Sequence, residues 1–312
     1  MPGAVLFASP IERIIGEKLS EYLHDKSIVV APEARKLNVS ATGLFKSTVM
    51  SLVLLSHDGT DEIIKKYANE YEWIEYSRTP ERQARDFAGK VYAFKAGYEK
   101  VRELNYDILG NLDADISFDD PEYLEYILNK FIKDPNLGVA GTPFREGTTQ
   151  YNYRFTRKEH VSGACQLFRR ECFESIGGYV PLKIGAIDLV AVVTARMKGW
   201  KTETFTEKYC VHNRKMGAAN YNILRTIFLD GYYDYLLGVH PLWEISRSAY
   251  NISRKPILLA GIIHMVGYFW AMLTYTHKVV PIEFVSFRRR EQILWLKEFI
   301  RKVFQSHRFF HP

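Results

Sequence analysis

Tyr106-Asp107-Ile108-Leu109-Gly110-Asn111-Leu112 runs directly into Asp113-Ala114-Asp115, and the fold is read outward from this stretch. Its apolar run is short, so it reads as a buried strand. Upstream, Ala88 to Leu104 reads as a helix. Before that, Asp58-Gly59 marks a turn, Thr60 can cap a helix, and Asp61 and Glu62 suit its first turn. Ile63, Ile64, Tyr67, Ala68 and Tyr71 then share one helical face. Downstream, Asp120 caps a helix with Pro121 at its first position. Leu124, Ile127, Leu128, Phe131 and Ile132 form its apolar stripe, and Asn136 to Ala140 reads as the next strand. Strands alternating with helices predict an α/β fold, a mostly parallel mixed sheet flanked by helices.

The 312 residues suffice for one large α/β domain with an appendage, or for two smaller domains. Three zones are expected, with boundaries at 1–55, 56–220 and 221–312. The first is hard to organise. Ile28-Val29-Val30 and Leu52-Val53-Leu54-Leu55 read as short strands, but Ala31 to Met50 shows neither strand alternation nor a helical stripe. The third is aromatic, rich in arginine and helical. Within it, Pro256 to Thr276 contains no Asp, Glu, Lys or Arg. Lys255 and Lys278 flank it and Arg288-Arg289-Arg290 follow, which allows a membrane span, an in-plane membrane helix or a buried core helix.

Hydrophobic residues make up 47% of the chain, a globular composition. The formal net charge of +6 suits an anionic ligand or an anionic membrane surface. No nucleic-acid-binding signature accompanies it, so no nucleic-acid partner is expected. Cys165, Cys172 and Cys210 form no metal spacing and cannot all pair, which reads as reduced thiols in a cytoplasmic protein. Met1 to Phe7 lacks a basic segment and a long apolar run, so no signal peptide is read there. The expected location is the cytoplasm, with the inner face of the cell membrane as an extension.

Four places carry chemistry. Asp113 and Asp115, one residue apart after a strand, can both approach Mg²⁺ or Mn²⁺, which prefer oxygen ligands and bridge phosphates. The plain alternative is a solvated turn. Gly163-Ala164, within His160 to Arg170, permits close approach of backbone to a ligand, or simply tight packing. Asp188 opens an apolar helix, where the N-terminal dipole can hold it ionised as a general base, or where it is an ordinary cap. His212 can complete a metal site, and Arg214 or Lys215 can meet phosphate, although a lone histidine is more often structural.

Taken in order, the strand with DAD, HVSGACQLFRRECFESIGGY, GAIDLVAVVTARMKGWKTETF and VHNRKMG resemble the family 2 glycosyltransferases. The resemblance covers about residues 56 to 220. It continues loosely through YYDYLLGVHPLWEISR and FRRREQILWLK, which look like the C-terminal part of a bacterial and archaeal subgroup. It implies a GT-A fold and metal-dependent, inverting transfer from a nucleoside-diphosphate sugar to a glycan, lipid-linked or protein acceptor. Asp113 would face the ribose and sugar, Asp115 would hold Mg²⁺ or Mn²⁺, and His212 would join the metal or diphosphate. Asp58 and Arg214 would contact the nucleotide, and Gly163 and His160 would line the acceptor side. The family's acceptor-activating acid often lies in a Glu-Asp pair; here the pair reads Ile187-Asp188, leaving Asp188 as the base.

The N-terminus departs from that pattern. Ser56-His57-Asp58-Gly59-Thr60 resembles the end of the family's second motif, but Leu54 and Leu55 stand where acids are expected. Family-like sequence resumes abruptly at Ser56. Either genuine divergence, giving an altered or lost nucleotide site, or a reading-frame change between about residues 31 and 55 would explain the break, and translating the coding DNA in its other frames decides between them. A catalytically impaired relative that still binds a sugar nucleotide or glycan is the alternative function. A nucleotidyltransferase would need a glycine-rich phosphate loop near the first strand, and none is present.

Overall fold

The structure is a computed structural model. It describes residues 27–34, 45–53, 62, 65–66, 68–69, 74–78, 87–104, 106–113, 116–120, 122–146, 149–150, 157–213, 222–251 and 258–308. The chain divides into two compact units, Met1–Met216 and Gly217–Pro312.

In the first unit, β1 is Ser27–Ala34, β2 Phe45–Val53 and β3 Ile74–Arg78. Helix α1 is Ala88–Val101, followed by β4 Ile108–Asp113 and the short β5 Ile116–Ser117. Next come α2 Tyr123–Lys133, β6 Leu137–Gly141, β7 Phe144–Glu146 and β8 Thr149–Gln150. Then follow β9 Cys165–Arg169, α3 Arg170–Ser175, α4 Ile187–Met197, β10 Lys201–Thr204 and β11 Cys210–His212. Seven strands form one sheet in the order β10-β6-β9-β4-β1-β2-β3. Four more form a second sheet, β5-β11-β7-β8.

The fold is α/β, a mixed sheet with helices packed on it. It is richer in antiparallel pairs than strand–helix alternation alone suggests. Parallel pairing joins β10 to β6 and β2 to β3, while β9 and β1 run antiparallel to their neighbours. Much of Ala31 to Met50 also departs from its patternless reading. Ala31 to Ala34 extend β1, and β2 starts at Phe45, the two strands pairing from Ile28↔Ser51 to Ala34↔Phe45. Ladder hydrogen bonds hold these strands, and backbone pairing leaves no trace in side-chain periodicity.

The central strands behave as their composition requires. Every residue of β4 before Asp113 is buried, as is all of β6. α2 covers them with Tyr123, Ile127, Leu128 and Phe131. Ile132, expected on this stripe, is 65% exposed, because it stands one residue and so about 100° around the helix from Phe131. Each fully buried apolar side chain here contributes about 1.5–3 kcal/mol relative to exposure.

The second unit consists of α5 Ile223–Leu236, α6 Pro241–Asn251, α7 Leu259–Leu273 and α8 Ile282–Arg308. Asn222 caps α5, its side chain accepting the Leu224 N–H at 3.0 Å. α5 and α7 cross backbone to backbone: a Cβ on Gly231 would collide with the His264 carbonyl, and one on Gly267 with that of Phe228. α7 divides lengthwise. Ala260, His264, Tyr268 and Ala271 are buried, while Leu259, Ile262, Val266, Trp270 and Leu273 form an exposed stripe. No helix among the described residues is long and apolar enough to cross a membrane. The apolar run that allowed a span therefore packs as a half-buried helix of 15 residues.

Candidate active site

β4 carries Asp113 to the end of the large sheet. Its N–H donates to the Ala164 carbonyl at 2.9 Å, tying the strand end to the loop before β9. From the first turn of α1, Lys90 reaches across and its ammonium pairs with Asp113 Oδ1. The two side chains are half-buried, at 21% and 27% exposure.

Asp188 arrives from the opposite direction. Gly185 and Ala186 both have positive φ, 86° and 58°, and this left-handed turn starts α4 and sets Asp188 in its first turn. Asp188 Oδ2 accepts the Gly163 N–H at 3.1 Å. A Cβ at position 163 would fall 2.9 Å from Asp188 Cβ, so the close approach that glycine permits here is to Asp188. Adjacent residues of one loop thus hold both acids, Gly163 receiving Asp188 and Ala164 receiving Asp113.

Beneath that loop lies a buried polar chain. Asn111 Nδ2 donates to the Tyr179 hydroxyl at 3.2 Å, which donates to Gln166 Oε1 at 2.6 Å. Gln166 Nε2 then donates to the Val161 carbonyl at 2.9 Å. Burial pushes the Tyr179 hydroxyl well above its ordinary pKa, and the nearby charges of Asp188 and Asp113 add to the rise. Tyr179 therefore stays a neutral donor to Gln166.

His212 closes β11 and is buried. Its strand partner is Ile116, the residue that follows Asp115 in sequence. Its Nδ1 faces Glu146 Oε1 at 3.8 Å, and its ring lies 5.5 Å from that of Phe144. Burial lifts the thiol of Cys210, on the same strand, to about 12, with the charge of Asp113 among the contributors. β11 is therefore within the electrostatic reach of Asp113. His160 lies further along the Gly163 loop, its carbonyl accepting the Thr204 hydroxyl at 2.6 Å.

Asp113, Gly163 and Asp188 are thus brought together, while His212 lies on β11, paired with Ile116 in the second sheet. Asp115, Asp58 and Arg214 lie outside the described residues. Lys90, Phe87, Tyr179 and Glu146 escaped sequence reasoning. Phe87, at the start of α1, lays its ring about 3.4 Å from where a Gly185 Cβ would stand. One signal was available: Asn111 and Gln166 are polar residues inside apolar strands, and they pair directly across β4 and β9.

Residues 55–181 match the model of the glycosyl transferase family 2. The match begins one residue before Ser56 and ends before Asp188 and His212. No curated protein matches the chain. Among solved structures, the chain is similar to the mannosyltransferase PcManGT from Pyrobaculum calidifontis, solved in complex with GDP-Man and Mn²⁺. Identity is 16%, over 84% of this chain and 72% of that one, with a TM-score of 0.46. It is also similar to residues 1–349 of S. aureus TarS, solved in complex with UDP-GlcNAc. There identity is 10%, over 72% of this chain and 63% of that one, with a TM-score of 0.42.

Proposed function

We propose, on the premise that residues 55–181 form a family 2 glycosyltransferase domain, that the chain moves a sugar from a nucleoside-diphosphate sugar to an acceptor hydroxyl with inversion at the anomeric carbon. The observation that carries this reading is that consecutive loop residues position both acids: the Asp188 carboxylate accepts the Gly163 N–H, and the Asp113 main chain donates to the Ala164 carbonyl. Asp188 takes the proton from the acceptor hydroxyl as its oxygen attacks. The bond from the anomeric carbon to the diphosphate oxygen breaks, and the nucleoside diphosphate leaves with the electron pair. Asp113, Asp58 and Arg214 are assigned to the donor, and Gly163 and His160 to the acceptor side. Residues 56–220 are taken as the catalytic domain, 1–55 as an atypical part of its nucleotide-binding half and 221–312 as a helical region.

The donor set fits a divalent cation. A carboxylate at Asp113, a second at Asp115 by sequence and an imidazole at His212, whose strand pairs with Ile116, suit Mg²⁺ or Mn²⁺. When bound, the ion supplies charge stabilisation of the departing diphosphate. The exposed apolar stripe of α7 supports a lipid-linked acceptor at a membrane surface, on its cytoplasmic side.

The test is a donor screen with UDP-, GDP- and dTDP-sugars and membrane extract as acceptor. It is run beside binding of the three nucleoside diphosphates with and without Mn²⁺. Metal-independent binding that Asp113→Asn leaves unchanged would refute the donor and metal assignments. Leu54 and Leu55, standing where the family has acids, favour the second reading, a binding protein without turnover. Binding without any transfer would select it.

A further inference from the structure

The ion pair between Lys90 and Asp113 joins the start of α1 to the end of β4. On the other side of the same helix start, Phe87 lies against Gly185, in the turn that delivers Asp188. The start of α1 therefore touches both the end of β4 and the turn before Asp188, and Lys90 is the cation it places on Asp113. The helix itself is fixed, with Ala88, Gly89, Val91, Ala93 and Phe94 buried around the lysine. The ammonium, by contrast, is a point charge at the end of a flexible four-carbon stem.

We propose that Lys90 is a donor-binding residue, holding Asp113 while the site is without donor and passing its ammonium to the diphosphate when the nucleotide sugar binds. This rests on the donor reading of Asp113 given above. Lys90 cannot keep its ammonium on that carboxylate beside a second cation without like-charge repulsion in a half-buried setting. It leaves Asp113 at low cost only if another anion receives it. A nucleoside diphosphate brings that anion, with oxygens suited to a charge-assisted hydrogen bond. Lys90 thus opposes binding of metal alone and favours metal and diphosphate arriving together, a coupling between two ligands that share one side chain.

The experiment measures two affinities on the whole chain. Mn²⁺ alone is titrated by electron paramagnetic resonance. UDP, GDP and dTDP are titrated by calorimetry at saturating Mn²⁺. Lys90→Met is expected to bind Mn²⁺ alone several-fold more tightly, and the preferred nucleotide roughly tenfold or more weakly, the loss of one charged hydrogen bond. Lys90→Arg should restore most of the nucleotide affinity. A purely structural role would weaken both ligands together, without rescue by arginine, and that result overturns the proposal. Unchanged nucleotide binding in Lys90→Met, with loss in Asp113→Asn, overturns it too while leaving the donor site standing. If no nucleotide binds the unaltered chain, or Asp113→Asn binds as well as wild type, the donor reading falls and the proposal with it.

Discussion

Each unit of this molecule holds a pair of acids, and the two pairs live under opposite conditions. Asp113 and Asp188 stand half-buried at the ends of secondary elements. The Asp113 carboxylate meets the Lys90 ammonium, and the Asp188 carboxylate accepts a backbone amide. Asp234 and Glu244 are almost wholly enclosed, with side chains 8% and 0% exposed. They clasp the two nitrogens of His264: Nδ1–H donates to Glu244 Oε1 at 2.6 Å, and Nε2 faces Asp234 Oδ2 at 3.4 Å. Arg247 adds a 2.5 Å contact to Asp234, and the Ser248 hydroxyl donates to Glu244 at 3.0 Å. Three residues with metal-ligating side chains thus meet within 4.8 Å, with a carboxylate facing each ring nitrogen of His264. Acids enclosed with their own cations are committed to the fold, whereas half-buried acids at the ends of elements stay within reach of a ligand.

The sharpest break of this comparison is Asp188→Asn. Transfer should fall by roughly 10²–10⁴-fold, the usual worth of a positioned base, with thermal melting and nucleotide binding unchanged. A matching loss of stability would make Asp188 a structural acid like those of the second unit. Glu244→Ala should do the reverse and destabilise the second unit by about 3–5 kcal/mol, since it strands a buried charge. Chemical denaturation measures that cost.

The third prediction concerns pH. Burial alone would lower the pKa of His264, but its contacts with Asp234 and Glu244 outweigh this and raise it from 6.5 to about 9. Below pH 6.5 the proton is held in both folded and unfolded chains, and its contribution is complete. Stability should then decline as pH rises from 6.5, with about 3 kcal/mol lost by pH 9, seen as faster hydrogen exchange in α5 and α7. A flat profile would mean that the acids hold a neutral ring. Gly163→Ala comes next: the added methyl displaces Asp188, and transfer should drop roughly ten- to a hundredfold with the fold retained. The smallest effect is a gain. Ala186→Gly relieves the left-handed conformation and should stabilise by about 1 kcal/mol, read as a small rise in Tm.

What the sequence shows clearly is whatever burial writes into side-chain pattern. β4, β6, α2 and α4 carry apolar runs or stripes because their faces are enclosed, and each was legible. β1 and β2 beyond Ile28 to Val30 and Leu52-Val53 were not, since hydrogen bonds to a neighbouring strand require no particular side chains. In the candidate site, the placements of Asp113, Gly163 and Asp188 were legible because a strand end, a small residue and a helix start each leave a local signature. Lys90 was missed for the opposite reason. Its partner is 23 positions away, and a lysine in the first turn of a helix resembles any solvated lysine. Tyr179 was missed because its meaning lies in a hydroxyl shared with two strands, although the buried Asn111 and Gln166 hinted at such a chain.

The backbone crossing of α5 and α7 bears on how this chain can drift. Substitutions that enlarge one side chain are commonly rescued by shrinking its neighbour. At Gly231 the neighbours are the His264 carbonyl and the Tyr268 amide, and at Gly267 they are the Phe228 carbonyl and the Tyr232 amide. Main chain has nothing to shrink. No second-site change of side chain can accommodate a methyl at either position, so relatives that keep this crossing should keep both glycines. Any that lose one should have moved the helices apart.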